Sequence, residues 1–260
     1  MTFIQIYSQG LIIILILMTL LWLVSVAIKN ASIVDPFWGL GFVIISVFYF
    51  IKGGGFETRK IILLTLVAIW GLRLSGWLAW RNSGKGEDFR YKQFRKNYGE
   101  KRYWWISFFQ VFMLQGILMW LVSAPLMGAH HYGGEKALSI LDIVGILLWI
   151  TGFVFEAGGD YQLARFKADP SNKGRVLDKG LWRYTRHPNY FGDSAVWWGY
   201  GFICLAAGSW VPLFGSVLMT LLIIRVSGVA MLEKTLKKDK PGYNEYTRRT
   251  SAFIPWFPRQ

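Results

Sequence analysis

GLIIILILMTLLWLVSVAI occupies residues 10–28. The run carries no charge and no proline, and its apolar residues are continuous rather than alternating. A helix that crosses a bilayer needs about 20 such residues. Lipid offers backbone N–H and C=O groups no partner, so a spanning segment must bond within itself as a helix or close into a barrel. The pattern predicts a helix. Further apolar runs follow at 36–51, 61–80, 104–127, 138–158, 189–207 and 210–232. Pro36 suits a first helical turn. Ala206-Ala207-Gly208-Ser209 breaks the last two runs, and Pro212 restarts the chain. The expectation is an all-α polytopic membrane protein of seven transmembrane helices, forming a single domain over 1–260.

Composition agrees. Charged residues are 17% of the 260, against about 25% in soluble domains. Fourteen Trp and twelve Tyr supply rings that settle at headgroup level. One cysteine, Cys204, excludes an intramolecular disulfide and a multi-cysteine zinc site. The adjacent pair His130-His131 lacks metal-ligand spacing, so no metal is expected. The net charge of +14 would suit nucleic acid, but the cations lie between apolar runs, so none is expected as a partner. The first apolar run is too long for the core of a cleavable signal peptide, and no basic region precedes it.

Segment 81–103 carries eight Lys and Arg, 159–188 seven, and 233–260 seven. With seven spans these fall on one side. Basic loops stay inside, which places the N-terminus outside and the C-terminus in the cytoplasm. The short turn 52–60, with Lys52, Arg59 and Lys60, is the exception.

Ionisable residues inside spans are costly and mark function. Asp35, Arg73, Asp142, Glu156, Asp193, Arg225 and Glu233 qualify, and all but Asp142 fall toward the cytoplasmic side. Glu156 is placed in the last turn of the fifth helix, ahead of a long irregular loop over 159–188. The sharpest string is Gly180-Leu-Trp-Arg-Tyr-Thr-Arg-His-Pro-Asn-Tyr-Phe-Gly-Asp193. Pro188 starts a helix there, and Arg183, Arg186 and His187 surround its positive end, a setting that holds phosphate or carboxylate. Asn189, Asp193 and Trp197 repeat every four residues and share a stripe, which spacing alone leaves open between ligand binding and polar helix packing. Asp160, Arg165, Lys167 and Arg175 add charge. Asp88, Arg90 and Tyr91 form a polar cluster that could be a helix cap or cofactor contacts. Arg73, Trp77 and Arg81 share one face, where Arg over Trp suits a cation–π pair. Gly39 and Gly41 beside Trp38 read first as close helix packing.

Arg186-His-Pro-Asn-Tyr-Phe-Gly-Asp193 with Trp197-Trp198-Gly199 resembles the steroid 5α-reductase family, in particular its bacterial branch. That family is related to the sterol C14 and C7 reductases and the isoprenylcysteine carboxyl methyltransferases. Gly159–Phe166, Asn172-Lys-Gly174, Gly180-Leu-Trp182 and Tyr243–Pro255 fit it too, as do Val34–Gly39 and Gly86–Tyr91 more loosely. The resemblance implies a seven-helix membrane enzyme that binds NADPH and reduces a C=C bond conjugated to a ketone in a lipid-soluble, steroid-like substrate. It places the substrate side mainly in 10–80 and the NADPH side mainly in 81–260.

By position, Asp160, Lys167, Arg175, Asn189, Asp193 and Trp197 match cofactor-lining positions. Asp193 stands where human members have Glu, and Gly174 stands where family members have Tyr. Arg73, Arg81, Asp88, Arg90, Arg165, Arg186, His187, Glu233 and Tyr246 complete the expected cofactor set. Asp35 matches the family's acidic residue. The family's tyrosine falls near Trp70, so Tyr91 or a water held by Asp35 is left to complete the acid. Trp38, Trp70 and Trp77 are the expected substrate surface. The competing reading is an S-adenosylmethionine-dependent membrane methyltransferase of the isoprenylcysteine type. The abundance of phosphate-reading cations favours NADPH. The resemblance also suggests a monomer in a bacterial inner membrane.

Overall fold

The computed structural model describes residues 1–134, 136–227 and 242–259. Their regular secondary structure is helical, with no strand among the described residues beyond one isolated bridge from Thr185 to Ser251. The helices are α1 (Phe3–Ala27), α2 (Val34–Lys52), α3 (Glu57–Asn82), α4 (Phe89–Tyr98), α5 (Glu100–Ser107), α6 (Leu114–Val122), α7 (Ala124–His131), α8 (Ile140–Ala168), α9 (Pro188–Ala206), α10 (Phe214–Leu221) and α11 (Tyr243–Arg249). A π-helical stretch, Phe108–Met113, joins α5 to α6, and a second, Leu222–Ser227, follows α10.

Five helical runs are long and apolar enough to cross a membrane: Phe3–Ala27, Ala31–Lys52, Glu57–Asn82, Glu100–His131 and Ile140–Ala168. Exposed faces support the same environment. Ile12, Ile16, Leu20 and Leu23 of α1 recur at helical spacing and are all more than half exposed. Lipid covers such a stripe at no hydration cost. In sequence, α9 covers the sixth expected span and Val211–Arg225, a shorter apolar helix, the start of the seventh, but neither is among the five. Glu233 lies outside the described residues.

One expectation is corrected. The chain does not turn irregular at residue 159: α8 runs on to Ala168. Residues 159–168 are rich in good helix formers, and the stop comes from Pro170, which disfavours helical geometry at the residue before it. Asp169 is accordingly extended. Glu156 is thus about three turns from the helix end, and Asp160, Arg165 and Lys167 are helical residues. The restart after α9 is as the sequence predicts: Gly208 takes φ +96°, a left-handed conformation that favours glycine, and Pro212 opens the next turn.

The chain groups into two compact units. The first comprises Met1–Leu138 and Cys204–Gly215, the second Ser139–Ile203 and Ser216–Gln260. In the first, α2 and α3 meet at Gly39 and Gly71, where a Cβ on either would come within 2.3–2.6 Å of the other's carbonyl oxygen. Phe42, Ile45, Tyr49, Leu63, Val67, Trp70 and Met119 form a fully buried core around that crossing. Arg59 explains the exception in the charge pattern. It is completely buried, and its guanidinium donates to the carbonyls of Lys136 and Ala137 at 3.1 and 2.9 Å. Lys60 pairs with Glu57 at 3.0 Å. Cys204 is buried, its thiol directed at the Ser209 carbonyl at 3.4 Å.

In the second unit α8 and α9 interlock through glycines. Gly145 faces Gly199, Gly152 faces Gly192, and Gly159 faces Pro188 and Asn189. Seven-residue spacing keeps the three α8 glycines on one face. Asp142 caps this helix through a capping box with Ser139, its carboxylate accepting the Ser139 N–H at 2.8 Å.

Candidate functional site

Each unit carries one polar constellation. In the first, Asp35 lies in the opening turn of α2 and makes no cap for that helix. Its two carboxylate oxygens have separate donors. Tyr91 donates its hydroxyl to Oδ1 at 2.6 Å, and Arg90 donates to Oδ2 at 2.7 Å. Asp88 is the N-cap of α4, accepting from the backbone N–H of Arg90 at 3.0 Å and from its Nε at 2.9 Å. Of the two roles left open by spacing the structure shows the cap: Asp88 starts α4 and presents Arg90 and Tyr91 to Asp35. The Arg90 side chain also lies over the Tyr91 ring.

Burial raises the Tyr91 phenol well above its ordinary range, and the adjacent Asp35 carboxylate adds to this. The hydroxyl therefore stays protonated and remains a donor. For Asp88, burial works upward, but hydrogen bonds and charge from Arg90 bring the net shift below the usual carboxylate range. For Arg90, burial works downward, while Asp88 and Asp35 raise it overall. A buried phenol held by a carboxylate, with a guanidinium beside it, can polarise or protonate an oxygen.

Sequence reasoning missed the supports. Gln115 directs its amide at the Tyr91 hydroxyl at 3.4 Å. Glu87 holds the α2 approach by accepting from the Ala31 N–H at 2.8 Å, and it is itself held by Arg95 at 2.8 Å. Gln115 had a signal, an amide inside an apolar span, but a search confined to ionisable residues passes over it. Of the tryptophans, Trp70 is fully buried against Phe42. Trp38 is half-buried, edge-on to Phe42, and Trp77 stacks obliquely on Trp80 with Arg73 over its ring at 5.8 Å. Arg81 is exposed and bonds the neighbouring Asn82 side chain at 3.4 Å.

In the second unit the α8–α9 glycine contact sets the site. Because Gly159 lets α9 begin against α8, Asn189 donates its side-chain N–H to Asp160 at 3.2 Å. Asp160 and Glu156 are both buried. Lys167 lies seven residues beyond Asp160 on the same face, whereas Arg165 points away. Lys167, Arg165 and Arg175 are exposed. Asp193 is half-buried next along the α9 stripe. Trp197 is fully buried, edge-on to Tyr200, and its carbonyl accepts from Ser216.

Other expected contacts hold structure. Arg186 is buried, and one terminal nitrogen donates to the carbonyls of Thr247 and Thr250 at 3.0 and 2.7 Å, closing the end of α11. Tyr246 is buried and donates its hydroxyl to the Trp182 carbonyl, while the Trp182 indole donates to the Gly159 carbonyl at 3.1 Å. His187 is buried and stacks on Tyr190. The described residues contain no group of three or more His, Cys, Asp or Glu able to hold a metal ion.

The family described as "Protein of unknown function (DUF1295)" matches residues 21–250. An uncharacterized protein of Schizosaccharomyces pombe is 27% identical over 274 residues, covering 96% of this chain and 79% of that protein. A delta(14)-sterol reductase of Ascobolus immersus is 28% identical over 118 residues, which are 40% of this chain and 27% of the reductase. A probable O-methyltransferase of Ustilaginoidea virens is 30% identical over 94 residues, 36% of this chain and 32% of the other. The chain thus spans about a third or less of the two relatives with a stated activity. No solved structure matches it.

Proposed function

The chain belongs to the DUF1295 family, and we propose that it is a multi-pass membrane oxidoreductase transferring hydride from NADPH to a C=C bond conjugated to a ketone in a steroid-like lipid. The observation that carries this reading is the Asp35–Tyr91–Arg90 constellation. Reduction of an enone builds negative charge on the carbonyl oxygen, and a fixed, protonated phenol is suited to meet it. A methyl transfer needs no such donor. The similarity to a sterol reductase supports the same substrate class.

The residues of the second unit fit the nucleotide. The Asn189 amide and Asp160 carboxylate form a preset polar pair at the start of a 19-residue helix, whose end attracts anions. Lys167 and Arg175, both exposed, suit phosphates, and Asp193 with its stripe suits hydroxyl or carboxamide groups. NADPH, when bound, supplies the hydride. On substrate binding the Tyr91 hydroxyl would turn its single proton from Asp35 to the carbonyl oxygen and donate it there. Asp35 holds the phenol in place in the free protein, and Arg90 pairs with Asp35. Arg186 and Tyr246 are assigned to holding the tail rather than to phosphates. The proposed topology has seven spans, with the N-terminus outside and the C-terminus in the cytoplasm.

Binding of NADPH and of S-adenosylmethionine to the detergent-purified protein separates the two chemistries. NADPH binds, and Asn189→Ala weakens it about 5- to 100-fold, the loss expected for one hydrogen bond in a dry site. Retention of S-adenosylmethionine in its place sinks the reductase reading.

A further inference from the structure

α5 opens a helical run that continues through α6 and α7, from Glu100 to His131. Its 32 residues reach about 48 Å at α-helical rise, more than the hydrocarbon core of about 30 Å, so the run extends into the headgroup layer. Its exposed side chains are graded along the axis. Lys101 and Arg102 come first, then Trp104 and Trp105, then Phe109, then Leu114 and Ile117. Cations suit headgroups, tryptophan the interface, and aliphatic side chains the hydrocarbon. Trp105 stands four residues, about 6 Å, beyond Lys101, comparable with the depth of a headgroup layer. α1 marks the same level. Its Trp22 indole donates to the Trp104 carbonyl at 2.8 Å, and the two rings lie 6.2 Å apart.

α4 is tied to that level from its inner side. Arg95 donates to the Lys29 carbonyl, just past α1, at 3.4 Å, pairs with Glu87, and lies over the Tyr103 ring of α5. Gly99, at φ +86°, takes a conformation that favours glycine and separates α4 from the run. Residues 89–105 hold six Lys and Arg and one carboxylate, Glu100. The cations divide by face. Arg90 and Arg95 turn to Asp35 and Glu87. Lys92, Lys96, Lys101 and Arg102 are exposed. On α4, Phe89, Lys92 and Lys96 fall at i, i+3 and i+7 and share one stripe, and Phe89 is 77% exposed. A phenylalanine bared in a row of lysines is ill placed in water. It is well placed where the ring and the lysine stems sink in among headgroups.

We propose that the outward face of α4 and the first turn of α5 form a docking surface for the headgroup phosphates of anionic phospholipids. The four exposed cations meet a negative membrane surface at one level, and each adds to the attraction. A zwitterionic lipid brings a choline cation with every phosphate and gains less. Docking also bears on the Asp35–Tyr91 pair. α4 has ten residues, too few for a helix to persist by itself. Its inner face is held by Tyr91 and Arg95, and headgroups on Lys92 and Lys96 hold the outer face of the same helix.

The test uses the full-length protein and does not depend on which reaction it catalyses. Phosphatidylglycerol and phosphatidylcholine of the same acyl chains are titrated into the detergent-purified protein and read by native mass spectrometry. Phosphatidylglycerol should bind at least about tenfold tighter. Lys92→Gln/Lys96→Gln should lose about 10- to 30-fold of that affinity, the effect of two interfacial cations, and leave phosphatidylcholine unchanged. Both side chains are exposed and glutamine keeps the helix propensity, while Lys92→Arg/Lys96→Arg should retain the affinity, which separates lost charge from lost fold. Lys173→Gln/Lys179→Gln removes two exposed cations of the second unit and should change nothing. In nanodiscs, amide exchange over 89–98 should slow about fivefold or more in phosphatidylglycerol relative to phosphatidylcholine. Equal binding of the two lipids overturns the proposal, and so does equal exchange over 89–98. An equal loss in the two glutamine variants overturns it too and assigns the preference to net charge.

Discussion

Asp35→Asn separates catalysis from architecture, because the structure bounds the architectural cost. Asparagine keeps the shape of aspartate and one acceptor oxygen, so the Tyr91 hydroxyl retains a partner where it now bonds at 2.6 Å. What is lost is charge. The Arg90 side chain is 44% exposed, which limits its ion pair with Asp35 to about 1 kcal/mol, and Arg90 still holds Asp88 at 2.9 Å. No helix cap disappears, since Asp35 caps nothing in α2. Stability should therefore fall by only about 1 kcal/mol. Turnover should fall far more, because Asp35 orients the Tyr91 phenol, and an electrophilic group aimed at developing charge supplies about 10²–10³ in kcat, or about 3–4 kcal/mol. The assay follows loss of nicotinamide absorbance with progesterone or testosterone, beside a separate measurement of NADPH affinity. Unchanged affinity with a hundredfold lower kcat supports the assignment. A parental kcat would falsify it, and an equal loss of NADPH affinity would show that the substitution disturbs structure instead.

Gly192→Ala drives a Cβ to within 2.3 Å of the Glu156 backbone nitrogen and 2.4 Å of the Gly152 carbonyl oxygen, so melting in detergent should report a loss of about 1–3 kcal/mol or more. Gly76→Ala in α3 meets nothing within 4 Å and should stabilise by up to about 1 kcal/mol through helix propensity; equal behaviour of the two variants would refute the packing argument. Arg186→Gln removes a buried donor to the Thr247 and Thr250 carbonyls, so limited proteolysis should cut the chain after α11 sooner than in the parent; an unchanged cleavage rate contradicts that closure of α11. The Tyr91 phenol is raised in the folded protein, so its stabilising contribution is full below about pH 10, the unfolded value, and is lost as pH rises through the higher folded value. Tyr91→Phe should flatten that alkaline loss in a melting series, and a curve that keeps its slope assigns the loss to other groups.

Much of the architecture was legible from residues alone. Continuous apolar runs near 20 residues admit little but helices in lipid, and Gly208 with Pro212 marked a break that backbone geometry requires. The polar cluster at Asp88, Arg90 and Tyr91 was visible as a cluster. Its purpose was not, because a cap and a contact use the same residue types, and only the long-range approach of Asp35 across 56 positions separates them. The extension of α8 to Ala168 was obscured because charged residues ended the apolar signal while helix propensity carried on to Pro170. Arg186 and Tyr246 looked like ligand contacts in a basic motif; their carbonyl partners lie about 60 residues away, and a backbone carbonyl leaves no mark in a sequence. Local chemistry therefore fixed what each segment is made of. Which groups satisfy one another was decided by tertiary packing, where glycines at the α8–α9 contact and the carbonyls that close α11 set distances that no spacing encodes.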